Sequence, residues 1–319
     1  MSNKMHIFFR EEMSYQLPGN DLYFNFFNKP KMLLSRIVKN KLAGHFVVRK
    51  KWEPFQAKDF YIAHSKEYVD AFFQGKELLC STNGVPWNSH FVESVQYMNA
   101  SLYHAIAYAI QNPGEITICP TGGFVRAMPE QGNQFCTFSG QVIAALKIMN
   151  SLGKKGGFID LVSFSSNAIP HSRKYFFDNQ VENAIPPEAH ICPKGEHGDF
   201  LKQLSDSLKV LEKHVLEKKV DYLLLTHAAD AHEWDDFGSK CTTEEWLKSS
   251  AMVFELVKSL NQKLDAPLPV ILCLEGGFRW DSYSNVIELF LADICQALDI
   301  FYDKKINYKL EIKSNKYND

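Results

Sequence analysis

Four short segments concentrate the side chains that could do chemistry. The first runs Pro120-Thr121-Gly122-Gly123-Phe124-Val125-Arg126-Ala127, followed by Gln134-Phe135-Cys136-Thr137-Phe138-Ser139-Gly140. The second is Asp160-Leu161-Val162-Ser163-Phe164-Ser165-Ser166-Asn167, the third Thr226-His227-Ala228-Ala229-Asp230-Ala231-His232, and the fourth Leu274-Glu275-Gly276-Gly277-Phe278. Asp160 and Asp230 are carboxylates of a kind that can ligate a cation or exchange a proton. His227 and His232 flank Asp230 and could add nitrogen donors, although residues next to one another on a strand face opposite ways. Hydrogen-bonded structural histidines are the plainer reading of both. Arg126 is suited to gripping a carboxylate or phosphate through its planar fork. The thiol of Cys136 and the hydroxyls of Ser163, Ser165 and Ser166 have no histidine beside them to act as a base, so they read as inert. Glu233, Asp235 and Asp236 read as a solvated acidic rim.

Each segment follows an apolar run of strand length: Ile116–Pro120, Gly157–Phe164, Tyr222–His227 and Val270–Leu274. Continuous apolar runs suit strands covered on both faces, as in a parallel sheet. Between them lie helical patterns. Val92–Ile110 spaces apolar and small residues by three and four, and Phe200–Val215 puts Leu201, Leu204, Leu208, Leu211 and Val215 on one stripe. Thr243 before Glu244, Glu245 and Trp246 reads as a helix start. The alternation predicts an α/β fold: a single-domain, doubly wound, mainly parallel sheet with helices on both faces, covering residues 1–302. Residues 303–319 form a Lys- and Asn-rich tail, expected to be poorly anchored. In such sheets ligands gather beyond the carboxyl ends of the strands, which is where all four segments stand.

With 45% hydrophobic and 23% charged residues over 319 positions and a formal charge of -2, the composition is that of a globular protein. It lacks the basic excess of a nucleic-acid binder. No apolar run approaches a membrane span, and Glu11 and Glu12 interrupt any signal-like start. Seven scattered cysteines without a C-x-x-C pattern suit a reducing, cytoplasmic setting.

In order and spacing, the four segments resemble the blocks of the histone deacetylase-like family, within the arginase/deacetylase superfamily. Those blocks read approximately G-G-x-H-H-A with G-F-C-x-F-N, then D-x-D-x-H-x-G-N-G, then G-A-D, then L-E-G-G-Y. His64-Ser65-Lys66-Glu67-Tyr68 matches an earlier H-x-x-x-Y segment, and Cys241-Thr242-Thr243-Glu244-Glu245-Trp246 echoes a late L-T-T-E. The resemblance spans about His64 to Gly277. It implies a zinc held by Asp, His and Asp, a histidine pair for proton transfer, and a tyrosine for the oxyanion.

Carried over position by position, most of that set is replaced. The metal positions fall on Val162, Phe164 and Asp230, of which Asp230 alone can ligate. The histidine pair falls on Val125 and Arg126, the orienting carboxylate of the second histidine on Asn167, and the tyrosine on Phe278. Arginine stays charged near pH 7 and cannot serve as a base. Asp160 is retained, and the resemblance implies a monovalent cation such as K+ near it, held largely by backbone oxygens. Asp230 is either a leftover ligand or the partner of Arg126.

The expected pocket comprises Gly123, Phe124, Arg126, Phe135, Asp160, Phe164, Asp230, Gly276 and Gly277, with the glycines allowing close backbone approach and the rings lining or filling the old channel. The sequence therefore predicts a catalytically degenerate deacetylase homologue, a pseudoenzyme without catalytic zinc that binds a small molecule or protein and neither nucleic acid nor membrane. Two other readings stay open. One is metal-independent chemistry around Arg126, Asp160 and Asp230. The other is residual metal-dependent amide hydrolysis, with His227 or His232 joining Asp230.

Overall fold

The apolar runs become the inner strands of one parallel sheet. In this computed structural model, residues 4–15, 27–162, 179–193, 199–237, 241–279, 282–306 and 308–310 are described. The strands are Met5–Phe8 (β1), Phe46–Arg49 (β2), Thr117–Cys119 (β3), Gly156–Leu161 (β4), His190–Ile191 (β5), Tyr222–Ala228 (β6) and Val270–Glu275 (β7). Their order is β2-β1-β3-β7-β6-β4-β5, every pair parallel. The four anticipated strands are β3, β4, β6 and β7. Three further strands, β1, β2 and β5, were not anticipated; with two to four residues each they give too short a run for periodicity to register.

The helices are Lys29–Lys39 (α1), Ala57–Phe60 (α2), Lys66–Gln74 (α3), Ser89–Gln111 (α4), Gly140–Leu152 (α5), Asn179–Ala184 (α6), Phe200–Leu216 (α7), Thr243–Asn261 (α8) and Tyr283–Tyr302 (α9). Local chemistry starts three of them. Ser65 accepts the Tyr68 amide, Asn88 accepts the Phe91 amide, and Thr242 forms a reciprocal capping box with Glu245. The late helix thus begins one residue after its cap, where the Thr-Thr-Glu-Glu pattern points.

Adjacent residues of β6 show how both faces of the sheet are covered. Thr226 turns to α5, where Gln141 Nε2 donates to its Oγ1 at 2.7 Å. His227 turns the other way, stacks on Trp246 of α8 at 3.7 Å between ring centroids, and bonds Asp293 of α9 through Nδ1 at 2.8 Å. Thr226 and His227 each therefore have a hydrogen-bond partner on their own face of the sheet.

At the carboxyl end of β7 the chain turns sharply. Gly276 and Gly277 have φ of +63° and +92°, and a Cβ on Gly277 would lie 2.4 Å from Val286 Cγ1. Gly277→Ala should therefore cost about 3 kcal/mol through strain and overpacking. A fall in the urea midpoint at unchanged slope would report it.

Residues 304–306 and 308–310 make contacts with the core. The Ile306 amide donates to Asp299 Oδ1 at 2.8 Å, Tyr308 OH donates to Glu288, and Ile306, Tyr308 and Leu310 pack against the core. Three apolar side chains among the lysines provide the anchor.

Candidate functional site

Beyond the carboxyl ends of β3, β4, β6 and β7 lies a cavity of about 520 Å³. Its place follows from topology: β3 and β7 are neighbours in the sheet but far apart in the chain, and their loops diverge above it. The β3 loop supplies Thr121, Gly122, Gly123, Val125 and Arg126, with Gln134, Phe135 and Cys136 following. Val162 comes from the end of β4, Ala228 and Asp230 from β6, and Glu275, Gly276 and Phe278 from β7.

The mouth is aromatic. Phe278 lies 5.6 Å from Phe135 and 5.1 Å from Phe237 between ring centroids. Gln134 and Phe135 both have positive φ, +44° and +65°, unusual for residues with side chains. The Asn83 carbonyl holds that turn by accepting the Phe135 amide at 2.8 Å. Arg126 Nη1 donates to the Gln134 side-chain carbonyl on the same rim. The guanidinium is thus engaged at the edge with Gln134, and no Arg126–Asp230 ion pair is formed.

Three described residues expected in the pocket, Phe124, Asp160 and Gly277, lie outside its lining. Phe124 is buried beneath Gly140, whose hydrogen leaves room for its ring: a Cβ there would meet Phe124 Cδ1 at 2.4 Å. Asp160 sits in the α5 face of the sheet, accepting from Gln141 Nε2 at 3.0 Å and paired with His190 Nε2 at 2.8 Å. His190, on the short edge strand, is a partner that local sequence did not suggest. Gly277 supports the cavity from behind, against Val286. Phe164 and Asn167 lie outside the described residues, as do Ser163, Ser165 and Ser166.

The histidines near Asp230 are engaged. His227 is occupied as above, and His232 bonds Thr243 Oγ1 at 2.9 Å and accepts the Trp234 amide at 3.1 Å. Burial, helped by Arg279, pulls His232 down to about 4, so it is neutral. His64 is likewise neutral, drawn to about 4 by burial; it bonds the Met128 carbonyl and accepts the Ser139 amide, both at 2.9 Å. Burial pushes the Cys136 thiol up to about 12, leaving it unreactive near neutral pH.

Of the three expected rim acids, Asp235 departs from the solvated picture. Its carboxylate accepts the Phe278 amide at 2.6 Å and the Phe237 amide at 3.0 Å, pinning two of the three mouth rings. Burial and the neighbouring charge of Asp230 push it up to about 7.

The floor holds a pair that strand-end reading missed. Lys29, at the first turn of α1, reaches across to β7 and donates to the Leu274 carbonyl at 2.6 Å and the Gly276 carbonyl at 3.1 Å. Glu275 is buried beside it, packed against Gly122. Burial lowers the lysine and raises the glutamic acid, while their mutual attraction opposes both shifts.

Over most of its length the chain superposes on known structures at low identity. It matches the crystal structure of the HDA15 HD domain with a TM-score of 0.70 and 13% identity, over 95% of this chain and 89% of that one. It matches acetylpolyamine aminohydrolase from Burkholderia pseudomallei with a TM-score of 0.62 and 14% identity, over 92% of this chain and 99% of that one. The chain has the arginase/deacetylase fold. No family model matches the sequence, and no curated protein matches it. At 13–14% identity the likeness concerns architecture, because function resides in the site.

Among the described residues of this deacetylase-fold protein, no three His, Cys, Asp or Glu side chains converge to hold a metal ion. Val162 faces the cavity where the resemblance puts a metal carboxylate. A tetrahedral zinc centre needs three protein donors, so the described donors do not fit one. Also among the described residues, no helix is long and apolar enough to cross a membrane.

Proposed function

We propose that this chain is a catalytically degenerate deacetylase homologue that uses the remodelled cavity to bind a ligand. The observation that carries the reading is the cavity of about 520 Å³, on the deacetylase scaffold, in which Val125, Arg126, Val162 and Phe278 stand where proton transfer, metal ligation and oxyanion binding would be done. Its volume is that of a small-molecule site, and its aromatic mouth above a floor with Lys29, Asp230 and Glu275 fits an organic ligand better than an ion alone. Of the two acids expected to serve metal-independent chemistry, Asp230 lines this cavity, whereas Asp160 is committed to Gln141 and His190. Seven cysteines without a disulfide favour a cytoplasmic setting.

Elemental analysis of freshly purified protein tests the proposal. Zinc, iron and cobalt together should fall below about a tenth of an equivalent per chain, given one carboxylate donor where three are needed. About one equivalent that disappears in Asp230→Ala would sink the reading. The same digest reads potassium, the ion the resemblance implies near Asp160.

A further inference from the structure

Lys29 is the one primary amine among the described residues that line the cavity. It is 2% exposed and is reached from the cavity rather than from bulk water. We propose that Lys29 is a carbonyl-capturing residue: its Nζ attacks an aromatic aldehyde in the cavity and forms an imine.

Three features of the site support this. First, the carbonyls of Leu274 and Gly276 fix Nζ at the cavity floor, and an amine that donates its two hydrogens to them keeps a lone pair for attack. Second, burial and the positive end of α1, where Lys29 is the first helical residue, both disfavour the ammonium form. Asp230, Glu275 and the Phe290 ring, 5.1 Å from Nζ, pull the other way, so the proton is shared rather than locked on. Third, Phe135, Phe237 and Phe278 give an aromatic body a place to pack above the amine.

The step balances without a further reagent. The amine nitrogen bonds the aldehyde carbon, the carbonyl oxygen takes up the amine's protons, and it leaves as water. Glu275, buried in the same floor with its carboxyl pushed towards the protonated form, is placed to supply and recover the proton that this dehydration needs. The proposal uses the same cavity as the ligand-binding reading but does not require it to be right.

The test is reductive trapping on the full chain. Protein is incubated with benzaldehyde and cyanoborohydride at pH 7, digested, and the benzylated lysines are ranked by mass spectrometry. Lys29 should be modified at least about tenfold faster than exposed lysines such as Lys66 and Lys218, as expected of a desolvated lysine against solvated ones. In Lys29→Arg, the adduct at position 29 should vanish while exposed lysines label as before. Labelling of Lys29 no faster than the exposed lysines overturns the proposal. Because the ranking is made within the native protein, it does not depend on the variant folding. Absence of an adduct together with absence of zinc rejects carbonyl capture and leaves the degenerate-deacetylase reading intact; an adduct together with stoichiometric zinc does the reverse.

Discussion

Hydrolysis of a fluorogenic acetyl-lysine peptide should stay at the uncatalysed background when zinc, iron or cobalt is added to this protein. The argument is cumulative. A deacetylase metal polarises the amide and generates its nucleophile, and without it neither event has a source. Disturbing a single outer partner of a metal costs about 10–100-fold, so on the proposed reading, with Val162 and Phe164 where the resemblance puts inner ligands, the cost should be several orders of magnitude more. Val125 has no proton to exchange, an arginine side chain is no general base, and Phe278 has no hydroxyl to meet the oxyanion. Turnover that rises with added zinc and disappears in Asp230→Ala would refute this prediction.

Replacing Lys29 by methionine should cost about 1–3 kcal/mol for each buried backbone carbonyl left without its donor. Those of Leu274 and Gly276 lose their donor, and Glu275 loses the lysine that draws its carboxyl down. The loss should also depend on pH. Burial already raises Glu275 from its ordinary 4.5 to about 8, with Lys29 holding it down. Without Lys29 the folded-state value climbs further. A carboxyl raised in the folded state binds more protons there than in the unfolded chain, so stability falls as pH rises. The melting temperature of Lys29→Met should therefore decline from about pH 4.5 upward alongside that of the native protein, and keep declining past 8, where the native Glu275 no longer contributes. Curves that stay parallel above pH 8 would show that Glu275 does not depend on Lys29.

These two predictions draw on different kinds of information. The first uses residues legible in the chain, because each stands in a segment at the end of an apolar run, and strand ends follow from local order. The second uses a contact that joins residues 245 positions apart. Lys29 looks like any surface lysine in the sequence, two residues before another lysine in a stretch with no catalytic pattern. Asp235 was equally opaque. Three acids in four positions read as a solvated rim, yet one of them pins Phe278 from 43 residues away.

Asp160 shows the opposite error. It was recognisable as a retained carboxylate, and its place in the block that resembles the deacetylase metal segment made it a natural pocket residue. Strand alternation and the arrival of His190 on the short edge strand β5 turned it into a buried structural pair instead. Phe124 was misplaced for a related reason. A glycine at 140 opens space beneath the loop, and that space attracts the ring more strongly than a half-wet channel does.

From the chain alone one could read the α/β architecture, four of the five inner strands, and which side chains stand at their carboxyl ends, because apolar run length and loop composition are local properties. Only the tertiary structure decided that a cavity is open there, that Lys29 and Glu275 form its floor, and that Phe237 joins its mouth. Those outcomes depend on which distant segments the crossover connections bring together. A buried lysine or an aligned ring becomes functional only once packing has removed water from around it.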